Sequence, residues 1–266
     1  MLYIVLSIFA VICLYPVFFT LTSSLKNNTE IFTEPFSLPR TPQWENYVRA
    51  WTIGKMGVYF KNSIILTAAT LFVSAIIGSM ASYILAKYTF KGKSFVYILF
   101  LAGMMIPIQT VIIPLAFTFG KLGIVDNFPV LVLLYSAFCL SMTVFIVTGY
   151  MKGLPDELEE AAVMDGAGHG IVFFRIILPL SMPAIASASI FNFVSAWNNL
   201  LFPLVFISKD SMKTISIGLL SFFGAYTSDY GAVMAAIGVS IIPPIIMYIL
   251  LQEKMGKGLT AGAVKG

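Results

Sequence analysis

The sequence predicts an all-α membrane protein with six transmembrane helices. Hydrophobic residues make up 59% of its 266 residues, charged residues only 11%, and the mean hydropathy is +0.93. Soluble domains contain about a quarter charged residues, and a soluble fold of this length could not bury so much apolar surface. This composition excludes a secreted domain, a cytosolic enzyme and a disordered chain.

Six apolar runs are long enough to cross a bilayer, which takes about 20 residues in a helix. They contain no Asp, Glu, Lys or Arg and lack the strict alternation of barrel strands. Prolines interrupt several of the runs, among them the third, fifth and sixth, and predict kinks there. The second run carries a small-residue face suited to close helix packing, formed by Gly78, Ser79, Ala81 and Ser82. The runs cover residues 2–25, 62–86, 95–119, 128–150, 180–207 and 232–251.

These runs predict one transmembrane domain over residues 1–266, with a protruding loop at 151–179 and a C-terminal tail at 252–266. Six spans place both termini on one side. Lys and Arg residues divide eight against eight between the two sides, so their number does not decide the orientation. Three lysines crowd into the short loop 87–94, where the positive-inside rule acts best, and we therefore expect the termini in the cytoplasm.

The first run begins without a basic segment before it and without a small-residue cleavage site, so we expect a retained helix rather than a signal peptide. In the following loop, Trp44, Tyr47 and Trp51 recur at spacings of three and four and predict an aromatic stripe on one short helix. Such a helix can lie on lipid headgroups or dock an outer partner. The sequence does not separate these two interpretations.

The loop 151–179 predicts two short helices that stand out from the membrane. Pro155 fits the first turn of a helix, and acidic residues follow it where the helix dipole favours anions. Gly166 permits the backbone conformation that ends a helix. A second amphipathic helix is expected to run to Ile177, and Pro179 is expected to break it as the chain re-enters the bilayer.

Acid–base chemistry is not indicated, although four acidic residues cluster at the start of this loop, because no nucleophile, ligand set or closed pocket accompanies them. We interpret them as a solvated helix N-terminus and the single histidine, His169, as a loop residue. One histidine excludes a histidine metal cluster within the chain. Cys13 and Cys139 lie in apolar runs and are interpreted as small buried hydrophobic residues. The acidic residues are Asp156, Glu157, Glu159 and Glu160.

A nucleotide site is not indicated either. Gly92, Lys93 and Ser94 resemble the end of a phosphate-binding loop, but that loop requires a glycine five residues earlier and a preceding strand. The residue at that place is Lys87, and an apolar helix precedes it. We therefore expect no cofactor in this chain. The net charge of +4 is modest and the basic residues lie between apolar runs, so we expect no nucleic-acid partner.

The loop carries a known motif, whose pattern is E-A-A, three residues, G, nine residues, and I-x-L-P. Residues 160–179 match every position of it, and the chain thereby resembles the inner-membrane permease subunits of binding-protein-dependent ATP-binding-cassette (ABC) importers. Four further segments, at 38–51, 113–115, 196–204 and 258–266, are similar to the sugar-transporting, maltose-type branch. The matching residues are Glu160, Ala161, Ala162, Gly166, Ile176, Leu178 and Pro179, with Asp165 in the usual place before the glycine.

The resemblance implies a type I ABC importer permease fold. It implies that the EAA loop, including Glu157, forms the coupling helix that docks on an ATP-binding subunit, and that the tail 258–266 reaches between the ATPases. The implied partners are a second homologous permease, two ATP-binding subunits that hold ATP and Mg²⁺, an extracytoplasmic solute-binding protein and a sugar. The implied location is the inner or plasma membrane, with cytoplasmic termini.

The spans contain no ionisable acid or base, which favours a neutral solute over ion-driven transport. Asn192, Ser195 and Asn199 share one helical face, and Gln109 lies between two prolines of the third run, so these four are candidates for the solute path. Hydrogen bonding between helices is an equal interpretation of the asparagines. Three functions remain open: a sugar importer permease, a permease for another polar solute such as an osmolyte or peptide, and a membrane protein without transport function.

Overall fold

The computed structural model describes residues 2–225 and 229–263, with side chains described at 2–220, 222 and 229–252. Every regular element in this part of the chain is helical, which confirms the all-α prediction. The helices that bear on function are α1 (Leu2–Ser23), α2 (Asn28–Thr33), α3 (Glu45–Thr52), α4 (Met56–Lys87), α5 (Lys93–Met105), α6 (Ile108–Lys121), α7 (Phe128–Met151), α8 (Glu157–Met164), α9 (His169–Leu180), α10 (Met182–Trp197), α11 (Leu201–Phe206), α12 (Ile215–Ala225) and α13 (Tyr230–Ala263).

Among the residues that the structure describes, four helices can cross a membrane by length and composition: α1, α4, α7 and α13 over Tyr230–Gln252. Two bent pairs raise this number to six if each pair is one span, which agrees with the predicted six. The third predicted span is not a straight helix, because α5 and α6 meet at 95°. Pro107 stands at the break with extended backbone (φ −63°, ψ 132°), and its missing N–H lets the helix end there.

The fifth predicted span also differs from the structure. The helix does not end before Pro179. It continues through a π turn at Phe173–Ile177 to Leu180, and a 71° bend follows at Ser181. Pro179 is tolerated because it lies in the first turn of a new α segment, where no N–H donor is required. The run then breaks again after Trp197, and α11 forms a separate short helix.

The last helix is longer than predicted, because α13 continues past residue 251 to Ala263. Part of the predicted tail, residues 264–266, lies outside the described residues. The chain divides into two compact units, one formed by residues 1–63 and 209–243 and the other by residues 64–208 and 244–266.

In the first unit, α3 is anchored through polar side chains. Asn46 is buried, and its amide donates to the backbone carbonyls of Ser24 (2.8 Å) and Lys26 (2.9 Å). Arg49 donates to the carboxylate of Asp229 (2.9 Å) and to the side-chain oxygen of Asn46 (2.6 Å). These bonds fix the loop after α1 and the start of α13 to the same face of α3.

A second polar cluster in this unit surrounds Asp210. Its carboxylate accepts hydrogen bonds from Lys55 (2.6 Å) and Tyr59 (3.0 Å), and the amine of Lys213 lies 3.0 Å away. The bond from Lys55, with those from Lys213 and Tyr59, holds the pKa of Asp210 well below its ordinary value. The cluster joins the start of α4 to the loop before α12.

In the second unit, α7 packs against α4, α5 and α10. A Cβ added at Gly78 would lie 2.6 Å from the methyl carbon of Thr143, so only glycine allows α4 and α7 to approach this closely. Ser79 and Ser82 are buried beside it. This packing confirms the small-residue face predicted for the second span.

Candidate coupling loop and solute path

The loop 151–179 forms the predicted pair of short helices. α8 begins at Glu157 with acidic residues in its first turn and ends at Met164. Gly166 takes a left-handed conformation (φ +80°), and the N–H groups of Gly166 and Ala167 bond to the carbonyls of Val163 and Ala162, both at 2.9 Å. This arrangement satisfies the last carbonyls of α8 and turns the chain into α9.

Most of the EAA residues face outward in the isolated chain. Glu157, Glu160, Ala161, Asp165 and Gly166 are exposed, and Ala162 is half-buried. Apolar side chains are exposed among them, and Met164 at 89% is the extreme case. A cluster of small and apolar residues on a helix that protrudes from the fold is typical of a surface made for a partner protein. The exposed apolar members are Leu158, Val163, Met164 and Ile171.

The second part of the motif anchors the loop. Ile176 and Leu178 are half-buried, and Pro179 is exposed, whereas the fully buried residue of this segment is Ile177. Ile177 and Phe173 belong to a core cluster that includes Val147 and Met151 of α7 and Tyr83 of α4. Ile176 and Leu178 pack against the same cluster, so the loop returns to the fold through motif positions and through the buried residues between them.

Lys87, at the end of α4, holds the start of α8. Its side chain is only 5% exposed. Its amine donates to the carbonyl of Leu154 and to the carboxylate of Asp156, both at 2.6 Å, and lies 3.9 Å from Glu159. The sequence gives no signal of this role, because Lys87 is about 70 residues from its partners and looks like one of three loop lysines.

A chain of hydrogen bonds joins both arms of the loop to α4. Tyr83 donates to Glu159 (2.8 Å), Tyr88 lies 3.1 Å from Tyr83 between hydroxyl oxygens, and Nδ1 of His169 lies 2.8 Å from the hydroxyl of Tyr88. Since Tyr83 gives its single proton to the carboxylate, Tyr88 donates to Tyr83 and His169 donates from Nδ1.

This chain of bonds changes the interpretation of the acidic cluster. Glu157 and Glu160 are exposed, as the predicted solvated N-terminus requires, but Glu159 is half-buried and bonded to Tyr83. His169 is the first residue of α9 rather than a free loop residue. An open cavity of about 400 Å³ lies between the end of α4 and the two short helices, and these bonded groups line it. We call Tyr83, Lys87, Tyr88, Asp156, Glu159 and His169 the loop clamp.

The four candidates for the solute path do not form one open stripe. Asn192 is buried, and its amide donates to the hydroxyl of Thr143 (2.9 Å) and the carbonyl of Cys139 (3.3 Å) on α7. Ser195 is exposed, whereas the side-chain oxygen of Asn199 accepts a bond from the N–H of Phe202 (3.1 Å) and caps α11. The contacts of Asn192 are those of a residue that joins two helices.

Gln109 is exposed in the first turn of α6, directly after the break at Pro107.

The two cysteines differ from each other in exposure. Cys139 is buried, as predicted, whereas Cys13 is exposed on α1, so the buried interpretation is wrong for Cys13. Cys13 shares this exposure with the rest of α1, where Ser23 is the one buried residue.

Residues 75–260 match the protein family described as the inner membrane component of binding-protein-dependent transport systems. The chain belongs to this family. The match begins within α4 at residue 75 and continues into α13, and it includes the whole EAA loop. The predicted family is thereby confirmed, and the chain is a multi-pass inner-membrane component of an ABC transporter.

Several curated relatives of this permease align over nearly its whole length. A diacetylchitobiose uptake system permease protein of Streptomyces coelicolor is 35% identical over 98% of this chain and 87% of its own. A probable starch degradation products transport system permease protein of Thermoanaerobacterium thermosulfurigenes is 34% identical over 94% and 91%. A multiple sugar-binding transport system permease protein of Streptococcus mutans is 33% identical over 99% and 96%.

A solved structure supports the fold. A chain from the crystal structure of a bacterial ABC transporter involved in the import of the acidic polysaccharide alginate superimposes with a TM-score of 0.80. The two chains are 24% identical, and the superposition covers 94% of each. The predicted importer permease fold is confirmed by this likeness.

Proposed function

We propose that this chain is the permease subunit of an ATP-driven ABC importer and forms half of the path for a sugar or oligosaccharide. The observation that carries the proposal is the clamped EAA loop, which presents small and apolar residues outward from a rigid base. An exposed helix of this kind can receive the movement of a neighbouring subunit, because Lys87 and Tyr83 tie it to the end of a membrane span.

The sugar as substrate is supported by the relatives, since the three described above are named for diacetylchitobiose, starch products or multiple sugars. The absence of acidic and basic residues from the six predicted spans also suits a neutral solute. For the path we propose Ser195, Asn199 and Gln109, which are exposed or half-exposed. The contacts of Asn192 support packing rather than solute binding for that residue.

The proposed assembly contains a second homologous permease, two ATP-binding subunits and an extracytoplasmic solute-binding protein. ATP and Mg²⁺ would be held by the ATP-binding subunits. In this assembly the loop 151–179 and both termini lie in the cytoplasm, and residues 258–266 contact the ATPase dimer. The lysines of the loop 87–94, on the same side as the EAA loop, support this orientation.

The decisive experiment reconstitutes the complete importer in vesicles and measures ATP hydrolysis stimulated by the loaded binding protein, together with solute uptake. We expect Glu160→Lys combined with Ala161→Asp to abolish both, because charge is costly at a small-residue docking surface. Lys91→Glu, at an exposed position on the same side of the predicted membrane, is the control and should retain both. Normal stimulation in the double variant would contradict the coupling role.

A permease for an osmolyte or a peptide would carry the same loop, so coupling measurements do not identify the solute. A ligand screen of the associated binding protein separates the candidates. We expect binding of neutral oligosaccharides and competition among them in uptake assays. If the binding protein bound peptides or osmolytes and no sugar, the chain would still be a permease, but the proposed sugar substrate would be contradicted.

A further inference from the structure

The short helix α3 buries a polar side chain and exposes large apolar ones, while Glu45 and Thr52 are exposed as well. Asn46 and Ala50 are buried, and Arg49 is paired with Asp229 inside the first unit. The apolar residues Trp44 and Val48 stand on the outward side. A surface helix in water turns its apolar stripe to the core, so the exposed apolar side chains of this helix indicate a contact with something other than water.

The outward residues form one stripe. Trp44, Val48 and Trp51 follow one another at spacings of four and three, which places them on one helical face. Trp44 is 67% exposed, Trp51 is 47% exposed, and Val48 lies between them in exposure. An exposed apolar stripe of this size marks a surface that contacts either lipid or another protein.

The neighbours of α3 favour lipid. The hydroxyl of Tyr47 lies 2.7 Å from the hydroxyl of Ser24, directly after the end of α1. At the other end, the Trp51 ring lies 6.0 Å from the ring of Phe60, and a Cβ added at Gly57 would lie 2.9 Å from the Trp51 indole. Trp51 therefore covers the first turn of α4. The helix α3 connects the end of one candidate span to the start of another.

The ends of membrane spans lie at the level of the lipid headgroups, where Trp and Tyr are enriched because their rings are apolar and their N–H or O–H groups are polar. We propose that α3 lies in the headgroup layer of the membrane, with Trp44, Val48 and Trp51 inserted among the lipids. The buried bonds of Asn46 and Arg49 hold it in this orientation. This lipid contact is a property of the chain in addition to its transport function.

The tryptophans allow a direct test, because the chain contains only three. Trp44 and Trp51 belong to the stripe, whereas Trp197 is 3% exposed and stacks on Phe193. Three variants each retain one tryptophan through Trp→Phe changes at the other two positions. The full chain of each variant, purified without partner subunits so that no other tryptophan emits, is reconstituted in phosphatidylcholine vesicles, with or without bromine atoms on the acyl chains near the headgroup.

We expect bromine to reduce the emission of Trp44 and of Trp51 by a larger fraction than that of Trp197. Bromine atoms deep in the acyl chains should quench Trp44 less than shallow ones. Equal quenching of all three tryptophans would overturn the proposal. It would also be overturned if brominated lipid left the emission of Trp44 and Trp51 unchanged, because their rings would then not contact lipid.

A second measurement does not depend on tryptophan emission. With Cys13 and Cys139 replaced, Val48→Cys and Thr41→Cys are compared in vesicles by reaction with a water-soluble maleimide. Both positions are exposed in the isolated chain. The thiol at position 41 should react and that at position 48 should not, while both should react in the denatured protein. Equal reaction in vesicles would contradict lipid contact along the stripe.

Discussion

Gly166 is the one residue of the loop 151–179 whose backbone has a positive φ. Its φ of +80° lies in the left-handed region, which residues with a side chain rarely adopt. A Cβ added there meets no atom within 4 Å, so space is not the constraint. Within the chain, the glycine of the motif is therefore required by its backbone conformation, which permits α8 to end and α9 to begin.

This explanation predicts different effects of one substitution at two neighbouring glycines. Gly166→Ser should cost about 1–2 kcal/mol in the left-handed conformation and should lower the ATP hydrolysis stimulated by binding protein. Gly168→Ser should be nearly neutral, because the φ of Gly168 is −74° and the space around it is open. Gly168 also directly precedes α9, a position where serine is favoured. Reconstituted vesicles provide the measurement, and equal loss in both variants would refute the conformational explanation.

Asn192 shows what the spacing of polar residues predicts and what it does not. Its spacing with Ser195 and Asn199 predicts a shared face, but the pattern does not indicate whether that face meets solute or another helix. The two bonds to α7 show that Asn192 itself contacts another helix. The residue could be identified as a candidate from the sequence, whereas its contacts could not, because their partners lie about 50 residues away.

We expect Asn192→Leu to lower the free energy of unfolding by about 1 kcal/mol, the magnitude typical of hydrogen bonds between membrane helices. Ser195→Ala should leave it unchanged, because Ser195 is exposed on the same helix. Unfolding in mixed micelles measures both variants. If the serine variant lost as much stability as the asparagine variant, the bonds between α10 and α7 would not be the cause.

At the scale of elements, the end of α4 and the EAA loop form one mechanical unit through the loop clamp. Lys87 makes bonds to a carbonyl and a carboxylate while its side chain is almost fully buried. Removing a charged donor from such a site costs about 1–3 kcal/mol, because its acceptors lose their partner. The start of α8 should then move independently of the span.

Lys87→Met should therefore accelerate hydrogen exchange of the α8 amides and reduce stimulated ATP hydrolysis, while membrane insertion remains normal. Lys91→Met is the matched control, since Lys91 is exposed in the same short loop. Hydrogen exchange detected by mass spectrometry on residues 157–164 reports the movement directly. Identical exchange in the two variants would show that the clamp does not hold the loop.

Length and composition predicted the spans well, because a run of apolar residues has one stable solution in a bilayer. The bends were not predictable to the same degree. Pro107 and Pro179 both signal an interruption, yet the helix breaks at Pro107 and continues through Pro179. The difference depends on where the neighbouring N–H and carbonyl groups find partners, and the π turn before Pro179 leaves no trace in the apolar pattern.

For the whole molecule, the described elements leave no place for a phosphate-binding loop at Gly92. A long helix precedes it where such a loop requires a strand, and Lys87 is engaged in the loop clamp. The purified chain should therefore neither bind nor hydrolyse ATP. Nucleotide binding and phosphate release, measured on the chain freed of all ATPase subunits, check this. Hydrolysis by the chain itself would contradict its assignment as a permease subunit without ATPase activity.

The position of His169 gives this protein a built-in spectroscopic probe. It is the single histidine of the chain, and it stands at the start of α9 with Nδ1 bonded to Tyr88. Labelling histidine with ¹⁵N would give one pair of ring signals from the whole subunit, without interference from other sites. Their chemical shifts distinguish the tautomer protonated at Nδ1 from the one protonated at Nε2. A change of tautomer during the ATP cycle would therefore report a change in the bond between His169 and Tyr88, whereas a constant tautomer would agree with a clamp that stays closed.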